Sequence, residues 1–198
     1  APIDIVCVID TSGSMSGGKI DLVRASLQFL VEQLKPNDRL SIVTFASSVT
    51  TQLPFTDMAT GRSRAQNVVS QLRASGGTYL SGGLFAGFDE LDARTTPSEV
   101  SSLLIFTDGQ ATNGIKNPTE LATQIEKRIQ QAGRAISTFS FGFGQDHDAT
   151  LMRSIAEAGN GLYYYLENND TIAGSFGDCL GGLLSVAAQN IKLRIEPC

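Results

Sequence analysis

The chain has 198 residues and a mass of 21.0 kDa, the size of one domain that buries roughly 70% of the surface its unfolded chain exposes. Twenty Asp and Glu against 15 Lys and Arg give a net charge of −5, which argues against the basic field that a phosphate backbone requires and so against nucleic acid as a partner. No apolar run approaches the ~20 residues needed to cross a bilayer, so direct membrane insertion is not expected either. Glycine is in surplus at 20 residues, against a usual share of about 7%, and it is spread through the chain, which directs attention to its loops.

In chain order, residues 3–9 (I-D-I-V-C-V-I) form an almost unbroken apolar run of strand length, as for a strand covered on both faces. Residues 19–34 then place Ile20, Val23, Leu27, Leu30, Val31 and Leu34 at spacings of three and four, an amphipathic helix ended near Pro36. Residues 39–45 and 49–55 read as strands separated by Ala46, Ser47 and Ser48, which predicts a hairpin and an antiparallel edge. Residues 61–72 and 80–91 read as helices divided by a loop containing Gly76 and Gly77. Residues 100–106 are the second strongly apolar strand, and the helix after it is expected to start at Asn117 and Pro118 and run to about Gln131.

A strand over 135–143, a helix over 147–158, a short strand over 161–165 and a last helix over 172–189 complete the alternation. At the start of the 147–158 helix, Asp146 or Asp148 is expected to cap and His147 to sit on the solvated surface. The fold class expected is α/β: an open, doubly wound, mostly parallel central sheet with one antiparallel edge strand and helices on both faces. A closed (β/α)8 barrel would need about 250 residues and no hairpin. One domain is expected over residues 1–190, with 191–198 a short strand or tail leading to downstream sequence.

Three cysteines, Cys7, Cys179 and Cys198, are too few for a disulfide scaffold and lack the C-x-x-C spacing of zinc or redox sites. Cys7 lies in an apolar run and reads as a small buried hydrophobe. Pairing of Cys179 with Cys198 stays open.

Ligands of open α/β sheets bind beyond the carboxyl ends of the strands, near a switch in strand order. Three loops qualify: Asp10-Thr11-Ser12-Gly13-Ser14-Met15, Gly76-Gly77-Thr78 and Phe106-Thr107-Asp108-Gly109. Asp10 and Asp108 follow the two most apolar strands, and two carboxylates brought together there repel unless a proton or cation lies between them. Carboxylate and hydroxyl oxygens without Cys or His suit Mg²⁺ first, with Mn²⁺ or Ca²⁺ as alternatives.

Asp10-Thr11-Ser12-Gly13-Ser14, Thr78 and Asp108 together resemble the metal-ion-dependent adhesion site of von Willebrand factor type A domains, and the order of elements resembles that family over nearly the whole chain. The resemblance implies that Ser12, Ser14 and Thr78 coordinate the ion directly and Asp10 and Asp108 directly or through water. A partner protein carrying an exposed Asp or Glu would complete the shell, so the implied function is cation-dependent recognition within a larger multidomain protein. It also implicates Met15, Ser16, Gly17, Gly18, Tyr79 and residues 110–116 in partner selection, and makes the last helix, with Gly174, Gly177, Gly181 and Gly182, a candidate for movement coupled to the metal loops. P-I-D-I-V and Asn160-Gly161-Leu162-Tyr163-Tyr164 look more like ubiquitin-ligase-associated domains and inter-alpha-trypsin inhibitor heavy chains than like integrin inserted domains. The first likeness implies an intracellular parent and the second a secreted one.

Enzyme readings find little support. There is no G-x-S-x-G elbow, His147 is the single histidine, the position two after Asp10 is Ser12 where a second acid would be needed, and the G-x-x-x-x-G-K-[ST] phosphate loop is absent. A domain without a cation, its loop filled by waters or a lysine, is the structural alternative. Tyr163, Tyr164 and Tyr165 read as residues alternating across a sheet edge, and Asn169-Asp170-Thr171, a glycosylation acceptor by pattern, as a chance match.

Overall fold

The computed structural model describes residues 2–184. The expected strand at 191–195, the end of the last helix and Cys198 lie outside them. The elements are β1 (Ile3–Asp10), α1 (Gly18–Gln33), β2 (Arg39–Phe45), β3 (Val49–Asp57), α2 (Met58–Ser70), α3 (Leu80–Asp92), β4 (Val100–Thr107), α4 (Pro118–Ala132), β5 (Ile136–Phe143), α5 (Ala149–Ala158), β6 (Tyr163–Leu166) and α6 (Asp170–Leu184). The six strands form one sheet in the order β3-β2-β1-β4-β5-β6. Only β2 and β3 pair antiparallel, as the three-residue connection demands; every other pair is parallel.

All residues of β1 and β4 are buried, because helices cover both faces of the sheet and alternate side chains serve two cores. Ile5, Cys7 and Ile9 of β1 pack with Leu104 and Phe106 of β4 against α1, α2 and α6. Val6 and Val8, with Leu103 and Ile105, pack against α3, α4 and α5. On the first face Phe176 of α6 stacks on Phe141 at 4.6 Å and on Phe106 at 6.0 Å, while a Cβ placed on Gly174, Gly177 or Gly181 would meet nothing within 4 Å. These glycines lower the helix propensity of α6, and among the described residues none of them is needed for close packing. Among the described residues Cys7 and Cys179 are buried thiols in no disulfide, and burial pushes Cys179 up to about 12.

Helix starts follow local chemistry in some places and tertiary partners in others. Asn117 caps α4 as expected, its side chain accepting from Glu120 N at 3.0 Å with Pro118 in the first turn. Asn117→Ala is expected to lower stability by about 1 kcal/mol, read as a lower urea midpoint at unchanged slope. The helix expected from residue 61 starts instead at Met58, because Met58 N donates to Asp38 O at 2.9 Å and Ala59 N to Pro36 O at 2.8 Å. Those carbonyls come from a distant turn and satisfy amides that would otherwise be unpaired.

The strand expected at 161–165 starts two residues later, since Asn160, at φ 53°, and Gly161 close the end of α5 by donating to Glu157 O and Ala156 O. The solvated surface expected for His147 is corrected: the residue is half-buried. Asp148 caps α5 by accepting from Leu151 N. The His147 ring lies 4.7 Å from that of Tyr165, with its nitrogens against Gly144 O and the Tyr163 hydroxyl.

Candidate metal centre

The chain leaves β1 toward β2 on one side of the sheet and returns on the other side with β4. The crevice between the carboxyl ends of these two neighbours is the switch point of the sheet, and all three loops converge on it.

The first loop turns at once after β1. Thr11 N donates to Phe45 O at 2.8 Å, Ser12 N to Asp10 Oδ1 at 2.8 Å, and Met15 N to Ser12 O at 3.0 Å, closing one 3-10 turn over Gly13–Met15. This turn brings the Ser12 and Ser14 hydroxyls within 3.1 Å of each other, Ser12 buried and Ser14 exposed. Met15, expected on the partner-facing rim, is instead fully buried and anchors the turn in the core.

The second loop is zipped onto the first. Gly13 N donates to Gly76 O at 2.9 Å and Ser75 N to Thr11 O at 2.8 Å. A Cβ on Gly13 would stand 3.3 Å from Gly76 O, so the close approach of the two backbones explains glycine there. Thr78, buried just ahead of α3, is held to the third loop by Thr78 N donating to Thr112 Oγ1 and Thr112 N donating to Thr78 O.

At the end of β4 the Thr107 hydroxyl donates to Asp10 Oδ2 and accepts from Gly109 N at 2.9 Å. Asp108 accepts from Gln110 N at 3.2 Å on Oδ1 and from Lys19 Nζ at 3.0 Å on Oδ2. Asp10 and Asp108 are both wholly buried. Burial pushes the Asp10 carboxyl up to about 6; hydrogen bonds from Ser12 and Thr107 pull the other way, and the charge of Asp108 adds to the rise.

Three groups at the site were not among the candidate ligands: Thr107, Lys19 and Asp146. Lys19 Nζ also lies 2.8 Å from Asp146 Oδ1, and Gln110 Nε2 donates to Asp146 Oδ2 at 3.0 Å. Burial works to lower the Lys19 pKa, but its hydrogen bonds to Asp146 and Asp108 outweigh that and leave it raised. The Lys19 hydrogen bond, followed by that of Gln110, holds Asp146 below its ordinary value. One signal could have found Lys19: a cation in the first turn of a helix opposes the helix dipole, so it needs a carboxylate partner close by.

Among the described residues no group of three or more His, Cys, Asp or Glu is arranged to hold a metal ion by itself. A cation at these strand ends would rest on two carboxylates and neutral hydroxyls, a donor set suited to a hard, partly hydrated ion.

A six-stranded, mostly parallel sheet with helices on both faces and a polar crevice at its switch point defines a Rossmann-like α/β domain. The chain belongs to the von Willebrand factor type A domain family, whose profile matches residues 4–177. It is 28% identical over 98% of its length to the uncharacterized protein YfbK of Escherichia coli, of which it spans 33%. Human inter-alpha-trypsin inhibitor heavy chain H4 is 30% identical over 81% of the chain, 18% of that protein. The Arabidopsis thaliana E3 ubiquitin-protein ligase WAV3 is 28% identical over 99% of the chain, 24% of that protein. The chain thus spans a third or less of these curated relatives. Among solved structures, the mussel byssus proximal thread matrix protein 1 with a zinc-occupied MIDAS motif superposes with a TM-score of 0.69 at 20% identity, covering 91% of this chain and 45% of that one.

Proposed function

We propose that this domain is a divalent-cation-dependent protein-recognition module in which Asp10, Ser12, Ser14, Thr78 and Asp108 hold the ion. The observation that carries the reading is the pair of buried carboxylates, Asp10 and Asp108, at the ends of adjacent strands beside the paired Ser12 and Ser14 hydroxyls. Oxygen donors alone favour Mg²⁺, with Mn²⁺ or Ca²⁺ as alternatives; the relative with zinc in its motif supports divalent binding in this family. When bound, the ion supplies a Lewis-acidic position for a carboxylate of a partner. The chain's own residues build the seat: Met15 locks the turn, Gly13 admits the second loop, and Thr107 holds Asp10.

The partner is proposed to be a protein with an exposed Asp or Glu, met within a larger multidomain protein, as the short span of the relatives covered suggests. Catalysis forms no part of the reading. Calorimetric titration with Mg²⁺ and Mn²⁺ tests it: saturable binding that Asp108→Ala abolishes is expected, and heat unchanged in Asp108→Ala would sink it. One observation favours a second reading, a structural domain without a cation, namely the Lys19 ammonium 3.0 Å from Asp108 Oδ2.

A further inference from the structure

The Lys19 side chain spans two carboxylates of different character. Asp108 is fully buried, on the crevice side, whereas Asp146 is 62% exposed, on the loop between β5 and α5. Lys19 Nζ touches both at once, at 3.0 Å and 2.8 Å. Its stem is confined as well: a Cβ on Gly144, at φ +83°, would lie 2.3 Å from Lys19 Cε, so the loop between β5 and α5 passes directly over the lysine. Around it, Gln110 links the two acids, donating through its backbone to Asp108 and through its side chain to Asp146.

We propose that Lys19 is the resident counter-ion of the metal site: it neutralises Asp108 in the metal-free domain, and an entering divalent cation displaces it from Asp108 onto Asp146. This rests on the metal reading above. The physical case is electrostatic. Two carboxylates buried side by side need a positive charge, and without a metal ion the nearest one is this ammonium. A cation at Asp108 then repels the ammonium and competes for the oxygen that it holds. Because Asp146 already accepts from Lys19, the handover gives up one contact while keeping the other. Divalent affinity is therefore set partly by a residue that never touches the ion, and metal entry leaves its mark on the loop between β5 and α5, where Asp146 and Gln110 are joined.

The test is a calorimetric titration of Mn²⁺ alone into wild type, Lys19→Met, Asp146→Asn and the double variant, with melting curves of each in chelator. Lys19→Met is expected to melt lower without metal and to bind Mn²⁺ about tenfold more tightly; Lys19→Gln gives a second variant with the same signs. Asp146→Asn is expected to bind several-fold more weakly, and that effect is expected to vanish in the Lys19→Met background. A merely structural lysine would lower the melting temperature without tightening Mn²⁺. Unchanged or weaker binding in both Lys19 variants, or an Asp146→Asn effect that persists in the double variant, overturns the proposal while the metal reading stands. Absence of binding in wild type and in both Lys19 variants overturns the two together.

Discussion

Replacing Asp10 with Asn is expected to raise the melting temperature of the metal-free domain at neutral pH while weakening divalent-cation binding by roughly a hundredfold or more. The carboxyl sits at about 6 in the folded protein against 3.8 for the ordinary side chain, so the native state binds its proton more tightly than the unfolded chain. The stability that protonation contributes is fully present below about pH 3.8 and lost as pH rises through about 6. At pH 7 ionised Asp10 then costs about 3 kcal/mol, which converts to a gain of roughly 6–12 °C for the variant at this chain length. Asn keeps the packing, because its carbonyl can accept from Ser12 N and the Thr107 hydroxyl can turn from donor to acceptor. Melting curves of both proteins in chelator check this. The gap is expected to narrow by about half by pH 5, and a gap of the same size at both pH values, or a less stable variant, contradicts the account.

The second large effect lies at the other end of β1. Asp4 is wholly buried and its carboxylate accepts from Ser98 N at 2.8 Å and Ser98 Oγ at 3.1 Å, with Arg39 Nε at 3.2 Å and Arg94 Nε at 3.6 Å. The two Nε groups make no hydrogen bond of good geometry, so their tie to Asp4 is chiefly one of charge. Asp4→Ala removes the carboxylate that two guanidiniums share, leaving Arg39 only Asp57 Oδ1 at 3.8 Å as a carboxylate partner among the described residues, and is expected to cost about 3 kcal/mol, the low end for a broken buried pair because both arginines are partly in water. That is a fall of roughly 10 °C in Tm. Asp4→Asn, which still accepts from Ser98, is expected to lose less. Mn²⁺ affinity is expected to be unchanged in both, since six residues of extended strand, ~20 Å, separate Asp4 from Asp10. A Tm within 2 °C of wild type for Asp4→Ala would show the cluster to be inessential.

Much of this organisation is legible along the chain. Strand and helix alternation follows from periodicity alone, because a doubly covered strand such as Ile3–Asp10 and an amphipathic helix such as Gly18–Gln33 are local patterns. The start of α4 is written in Asn117 and Pro118, and the antiparallel edge in the brevity of the 46–48 connection. The candidate ligands are legible for a related reason: hydroxyls and carboxylates placed directly after apolar strands fall at the carboxyl edge of any parallel sheet.

Other features depend on residues far apart in sequence, and no local window contains them. The strand order puts β1 beside β4, so that Asp10 and Asp108 share one crevice, and it arises from pairing across 90 or so residues of chain. Likewise α2 begins where the carbonyls of Pro36 and Asp38 happen to lie, and Met15 turns inward because the core beneath it has room for a thioether and the rim does not require one. Lys19 was visible as the first cation of α1, but its two partners stand 89 and 127 positions further on. The composition of the metal seat is thus a property of the chain, since side-chain chemistry after an apolar strand needs no partner to be read. Its charge state belongs to the fold, because only the packing of α1 against the loops after β4 and β5 decides which ammonium faces which carboxylate.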